Sequence, residues 1–304
     1  MLKIEKVLKQ TRLCLALTGL KPEELLALLP AFSEALNRKK KRDYDNDSKR
    51  ERKLGGGRKG FLPTASDKLF FILFYYKCYP TYDILAFFYE CNRSNAMRRQ
   101  KYLSGILEAT LGKKLVLPKR QLKNVEDFLK AFPEAKEVFI DGTERPIQRP
   151  KDREKQKANY SGKKHRHTRK NLIISDRKKR IGLLSKTVEG RQHDFSMLKE
   201  HAPPKYIPVN VRQRVDLGFK GYKKQYPNHN VSMPERKPRT RELSQTVKEQ
   251  NTKKSRIRVL VEHAICGIKR FRITTDVFRN KLKDFDDQAI LISSGLWNYH
   301  LSMR

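Results

Sequence analysis

From Lys21 to Asn37 the chain reads KPEELLALLPAFSEALN, with apolar residues three and four apart, which predicts an amphipathic helix over residues 22–37. The next stretch, Arg38 to Gly60 (RKKKRDYDNDSKRERKLGGGRKG), has no apolar face to pack and reads as a linker or a basic arm. From Thr64 the pattern changes abruptly to TASDKLFFILFYYKCYP. Thr64 with Asp67 three residues on is an N-terminal cap signal, opening a helix through Lys77 that Pro80 breaks. A second helix starts at Thr81, with Ile84, Leu85, Phe87 and Phe88 as its apolar face. Cys91 to Arg93 form a turn, and a third helix begins near Ser94 with Arg98, Arg99 and Lys101 exposed. Two short helices, a tight turn and a basic third helix are the layout of a helix-turn-helix, although any small bundle with one basic face shares it.

After a linker containing Pro118 and Pro133 the periodicity shifts from helical to strand-like. Glu137–Ile147 (EVFIDGTERPI), Lys170–Ser175 (KNLIIS) and Ile181–Val188 (IGLLSKTV) read as strands. Asp194 caps a short helix through His201, Val209–Leu217 contains another strand, and Asn230–Met233 is one more. A long helix follows from about Thr252 to Arg272, with Ile257, Leu260, Val261, Ala264, Ile265, Ile268 and Phe271 in one stripe. This alternation predicts a mixed α/β sheet domain behind an all-α segment. The expected division is residues 1–60 for the first helix and arm, 61–115 for the helix-turn-helix, and 135–304 for the sheet domain.

Charge changes the picture more than any other bulk property. The 304 residues hold 69 Lys and Arg against 33 Asp and Glu, a net charge of +36. Such a surface points to a polyanionic partner, nucleic acid first, because cations that neutralise phosphates release condensed counterions. An anionic membrane surface is the competitor, but no apolar run approaches the ~20 residues that span a bilayer. At 38% hydrophobic residues the chain still has enough for a core. Cys14, Cys78, Cys91 and Cys266 show no CxxC or Cys/His spacing, so neither a disulfide framework nor structural zinc is expected, and the thiols should be reduced and mostly buried. Leu13 to Leu20 is too short and lacks a cleavage site for a signal peptide, so the expected location is the cytosol, at the nucleoid.

Three acids stand out. Asp141 follows the apolar VFI and precedes Gly142, as if the strand ended there and turned to expose the carboxylate. Asp216 has a similar setting in VDLGFKG, before Gly218. Taken singly, each is an ordinary turn former. Glu262 lies off the apolar stripe of the long helix, sharing a face with Arg258 and Lys269, and alone would be a solvated helix carboxylate. Together, two strand-end acids and a helix acid can hold two divalent cations ~3.5–4 Å apart. Hard oxygen donors suit Mg²⁺, with Mn²⁺ as a substitute.

The segments FIDGTERPI, YSGKKHRHT, GRQHDF, VDLGFKGY and RVLVEHAICGIKRF resemble the DDE transposases of bacterial insertion sequences, in the branch related to Harbinger elements. YPTYDILAFFYECNRSNAMRR is similar to the helix-turn-helix that precedes the catalytic domain there, so the likeness runs from about Leu62 to the end. The resemblance implies an RNase H-like fold, with the first acid on strand one, the second after strand four and the glutamate on a late helix. It carries over to Asp141, Asp216 and Glu262 as catalytic metal ligands. One departure is Phe219, where that family usually has tyrosine.

Asp194 in GRQHDF competes for the second acid but is read as a helix cap, and His193 and His263 as structural. His165 and His167 alternate in a basic loop that fits phosphate contact better than metal. GKK lacks P-loop spacing, which excludes nucleotide binding on that motif. Trp297 reads as core. The expected DNA contacts are Arg93, Ser94, Arg98, Arg99 and Lys101 on the third helix, Tyr160, Lys163, Lys164 and Arg166 in the loop, and Arg258, Lys269 and Arg270 on the long helix. The expected activity is binding of element ends, metal-dependent phosphodiester hydrolysis and transfer of the 3′-hydroxyl to target double-stranded DNA, with a homodimer or higher oligomer. Alternatives are an RNase H-like endonuclease that does not join ends, or a domesticated DNA-binding protein.

Overall fold

The computed structural model describes residues 3–47, 53, 60–238, 240 and 242–304. Its helices begin with α1 (Ile4–Leu8), α2 (Thr11–Thr18), α3 (Pro22–Asp45), α4 (Ala65–Cys78), α5 (Tyr82–Phe88), α6 (Arg93–Lys113) and α7 (Val125–Ala131). Strand β1 (Glu137–Pro146) follows, then α8 (Arg153–Asn159), β2 (Tyr160–Ser161), β3 (Arg166–Ser175), β4 (Ile181–Leu184) and β5 (Val188–Glu189). The chain closes with α9 (Asp194–His201), β6 (Arg212–Arg214), α10 (Tyr222–Gln225), β7 (Val231–Ser232), α11 (Gln245–Lys269) and α12 (Phe285–Ser302). Two compact units result: Met1–Leu117 with Arg270–Thr274 and Gly295–Arg304, and Pro118–Lys269 with Thr275–Ser294.

In the helical unit, Thr64 and Asp67 form the expected reciprocal cap of α4, Thr64 Oγ1 accepting from Asp67 N at 3.0 Å. Helix α4 is buried nearly all round, from Lys68 to Tyr76, and its Phe71 packs edge-on to Tyr89 at 4.8 Å. Two expectations change here. Helix α3 does not stop at Asn37 but continues to Asp45, because Lys and Arg are good helix formers. The pairs Arg38–Glu34 (2.8 Å) and Lys39–Asp43 (2.5 Å) add support one turn apart. Residues 48–52 and 54–59 of the arm lie outside the described residues. On α5 the seven-residue helix buries only Leu85 and Ala86, while Phe87 is 81% exposed and Ile84 and Phe88 are exposed as well. Ile84, Phe87 and Phe88 lie three and four apart on one face of α5, and that face is turned largely to solvent while Leu85 and Ala86 face the core.

The second unit is built on a seven-stranded mixed sheet with central order β2-β3-β1-β6-β7. Strand β1 runs antiparallel to β3 from Phe139↔Ser175 to Pro146↔Thr168, and parallel to β6 from Glu137↔Arg212 to Phe139↔Arg214. Strands β4 and β5 both pair with β3, splitting the expected single strand 181–188 in two. Side chains alternate across a strand, so Val138 and Ile140 enter a core with Leu172, Ile174, Met197 and Leu198, the last two from α9. On the other face α11 packs against β1, burying Val261, Ala264, Ile265 and Ile268. The stripe of α11 is therefore as expected in its middle, whereas Ile257 is exposed. The helix starts at Gln245 and ends at Lys269. Mixed sheet and flanking helices make this unit RNase H-like, behind an all-α helix-turn-helix region. Of the thiols only Cys14 is buried; Cys78 and Cys91 are half-buried and Cys266 is exposed. No described helix is long and apolar enough to cross a membrane.

Candidate functional site

Asp141 does not end its strand. Strand β1 continues for five more residues to Pro146, Asp141 pairing with Ile173 and Gly142 with Leu172 of β3. What ends near Asp141 is the other ladder, because the parallel pairing of β1 with β6 stops at Phe139↔Arg214. Carried two residues further, that register sets Asp141 beside Asp216, at the carboxyl edge of two parallel neighbours. Each carboxylate accepts a bond from a glycine amide: Asp141 Oδ1 from Gly142 N and Asp216 Oδ1 from Gly218 N, both at 2.8 Å.

The cavity over this edge measures about 260 Å³ and is lined by Asp141, Asp216, Glu262, Glu144, Arg258 and three lysines, Lys163, Lys164 and Lys269. Arg258 lies between two of the acids, donating from one nitrogen to Asp141 Oδ2 (3.3 Å) and from the other to Glu262 Oε1 (2.7 Å). Burial, then the charge of Asp216, push the Asp141 carboxyl up to about 6, with Arg258 acting against both. Burial, then the like charge of Lys164, lower the pKa of Lys269. Acids that repel at the floor and cations that repel at the rim are an arrangement that added ions of both signs would stabilise.

Hard carboxylate oxygens are the right donors for a divalent cation, and the crowding of Asp141 and Asp216 suits one. Glu262 is engaged by Arg258, however, and among the described residues no group of three His, Cys, Asp or Glu is gathered closely enough to hold an ion. The fit is therefore in donor chemistry and common location.

Tyr160–His167 is a hairpin and not a loop: β2 pairs Tyr160↔His167 and Ser161↔Arg166, with the two lysines at the turn. His165 and Arg166 are exposed, and the His167 ring meets that of Tyr160 edge-on at 5.7 Å. Arg93, Ser94, Arg98 and Lys101 are exposed on α6; Arg93 pairs loosely with Asp83 (3.7 Å), and Arg98 and Arg99 border a cavity of about 800 Å³ with Asn92, Asn95 and Tyr102. Arg270 is not in the carboxylate cavity: it belongs to the helical unit, its guanidinium 5.4 Å from the Trp297 ring. Trp297 is buried on α12 as expected.

Asp194 is not a helix cap. His193 holds the capping position without a side-chain bond, and the Asp194 carboxylate leaves its own helix for Lys170 Nζ at 2.8 Å. Phe219 is fully buried in the core cluster. Sequence reasoning missed Glu144 and Lys170, which face each other across β1 and β3 (3.8 Å). Opposite charges in antiparallel register are the signal that could have found them, once the register was known.

An enzyme of the nuclease type that handles DNA is the class that this fold and this basic, acid-floored cavity define. More than half of the chain, residues 140–298, matches the family model described as DDE superfamily endonuclease, and the chain belongs to that family. Residues 61–113 match the helix-turn-helix of DDE superfamily endonuclease. A curated relative, the "Probable transposase for insertion sequence element IS702" of Microchaete diplosiphon, is 29% identical over 259 residues, covering 85% of this chain and 87% of its own. No solved structure matches. The chain is thus an insertion-sequence transposase of the DDE superfamily that binds DNA.

Proposed function

We propose that this transposase cleaves the ends of its element by metal-dependent phosphodiester hydrolysis and joins the freed 3′-hydroxyl to target DNA, with Asp141, Asp216 and Glu262 as catalytic ligands. The observation that carries the reading is the register of β1 and β6, which brings the first two acids to one edge, in the cavity that Glu262 shares. Asp141, Asp216 and Glu262 would hold Mg²⁺, or Mn²⁺ in its place, with Asp141 and Glu262 the two acids that Arg258 otherwise engages. Bound there, two ions supply Lewis acidity at the phosphate and lower the pKa of the attacking water or 3′-hydroxyl. Lys163 and Lys164 from the hairpin turn and Lys269 from α11 hold the phosphate oxygens from the rim, and Tyr160 and Arg166 grip the flanking strand. Arg258, lining the same cavity, would offer its charge to the DNA backbone. Residues 61–115 recognise the element end through Arg93, Ser94, Arg98, Arg99 and Lys101 of α6, an assignment that the exposure of α6 and the helix-turn-helix match support. Residues 135–304 serve as the catalytic domain, acting at the nucleoid in the cytoplasm. Pairing of two ends requires at least a dimer on DNA.

The test is strand transfer with labelled element ends and Mg²⁺. Joined product is expected from the wild type. Asp141→Asn, Asp216→Asn and Glu262→Gln should each lower cleavage by about 10²–10³-fold or more, the scale of losing one group that stabilises transition-state charge, while DNA binding persists. Cleavage without joining would reduce the activity to a nuclease, and an active variant would remove that residue from the ligand set.

A further inference from the structure

Asp194 sits beneath the proposed site, not in it. Asp141 and Gly142 are consecutive on β1, so their Cβ directions point to opposite faces of the sheet. Asp141 points to the side of α11, where Arg258 meets it. A methyl at Gly142 would overlap Asp194 Oδ1 and stand 3.1 Å from Lys170 Cε, so the Asp194 carboxylate lies on the other side, directly under the glycine. The second oxygen is equally placed: a methyl at Gly218 would stand 2.7 Å from Asp194 Oδ2. One carboxylate thus occupies the space of two missing side chains, and the amides of those glycines hold the first two acids of the triad.

This location matters because no ladder spans the gap above it. The pairing of β1 with β6 has ended at Phe139↔Arg214, so backbone hydrogen bonds no longer set the separation of Asp141 from Asp216. A wedge between the two glycines does. The wedge is itself held rigidly: the Asp194 side chain is 18% and that of Lys170 10% exposed, and Lys170 Nζ donates to Gln192 O at 3.2 Å while facing Asp194 at 2.8 Å and Glu144 at 3.8 Å. The lysine also neutralises an anion that would otherwise add to the charge of the site.

We propose that Asp194, neutralised by Lys170, is the positioning residue that sets the gap between Asp141 and Asp216. The inference rests on reading those two acids as metal ligands. It also accounts for both glycines, since any side chain at either would expel the wedge.

The experiment uses the full chain. Mn²⁺ binding without DNA is followed by electron paramagnetic resonance, and cleavage of a labelled end duplex and DNA affinity are measured in parallel. Asp194→Ala should raise the half-saturating Mn²⁺ about 10–100-fold, as loss of a group that orients metal ligands does, with DNA affinity unchanged. Asp194→Asn keeps the shape between the glycines and should recover part of the loss. Gly142→Ala displaces the carboxylate without altering any charge and without meeting either ligand, whereas a methyl at Gly218 would also press on Asp216 Oδ1 at 2.9 Å; Gly142→Ala should reproduce the Asp194→Ala defect, and it carries the test if that variant does not fold. Wild-type Mn²⁺ binding in Asp194→Ala or in Gly142→Ala would overturn the inference. So would an Asp194→Asn chain as defective as Asp216→Asn, which would make Asp194 a ligand. A wild type that neither binds Mn²⁺ nor cuts would overturn the proposed function along with it.

Discussion

Asp141 is ionised at a cost. Its side chain is 16% exposed and its carboxyl titrates at about 6 where the ordinary value is 3.8, burial and Asp216 outweighing Arg258. The folded protein therefore binds this proton more tightly than the unfolded chain does, and the charge destabilises the fold above about pH 6. The penalty fades as pH falls from about 6 toward 3.8, because the folded carboxyl is then neutral. A shift of this size corresponds to at most ~3 kcal/mol. Asp141→Asn should accordingly stabilise the metal-free protein by ~1–3 kcal/mol at pH 8, with the gain shrinking toward pH 4, as read by urea denaturation at several pH values. An Asn variant that is less stable at pH 8 would mean that the bond from Arg258 dominates.

At the scale of elements, α12 shows how a helix can serve a part of the chain far from it in sequence. Tyr299 donates to Glu24 O at 2.8 Å, His300 Nδ1 lies 2.7 Å from Glu24 Oε1, and Asn298 donates to Val116 O at 2.9 Å. A methyl at Gly295 would stand 2.7 Å from Leu117 Cδ2, so the helix approaches that chain closely. All these residues belong to the helical unit. Truncation after Ser294 should therefore destabilise that unit by several kcal/mol, since it strips buried partners from Glu24 and opens the core around Leu117. Limited proteolysis of α3 and α4 would report it; unchanged protection would show that residues 1–117 stand alone. Periodicity and the Thr64 cap revealed α4, α6 and α11, whose helical patterns run over several turns, whereas the sequence locates α9 through a cap at Asp194 that the helix does not use. Periodicity misjudged α3, where charged residues continue a helix with no apolar signal, and α5, where the face of Ile84, Phe87 and Phe88 is left largely exposed.

At the scale of the molecule, +36 on 304 residues is an electrostatic commitment to DNA. Affinity should fall steeply with salt, the slope of log K against log salt being about −0.9 for each phosphate neutralised. Replacing Lys163 and Lys164 together should make that slope shallower by about 2 with little change in sequence preference, whereas Arg98→Ala should cost about 1–3 kcal/mol for the element end alone. Titration of binding at several salt concentrations separates the two, and a flat dependence would deny broad phosphate contact.

What the sequence by itself determined is local or additive: the capped helices, the alternation of the strands, the excess of basic residues and three acids in a fixed order. Those properties need only neighbours along the chain. What the tertiary structure decided is pairing across it. Asp141 looked like a strand end because the residue after it is glycine, yet the strand runs on. A carboxylate from α9 fills the space that a side chain at Gly142 would need, and no local rule can announce a contact 52 positions away, between Gly142 and Asp194. The meeting of Asp141 with Asp216, and the guanidinium of Arg258 between Asp141 and Glu262, follow from the register of β1 with β6 and the seating of α11 on β1. Register is a collective property of the folded sheet, fixed by which faces are buried, and it exists only once the strands have met.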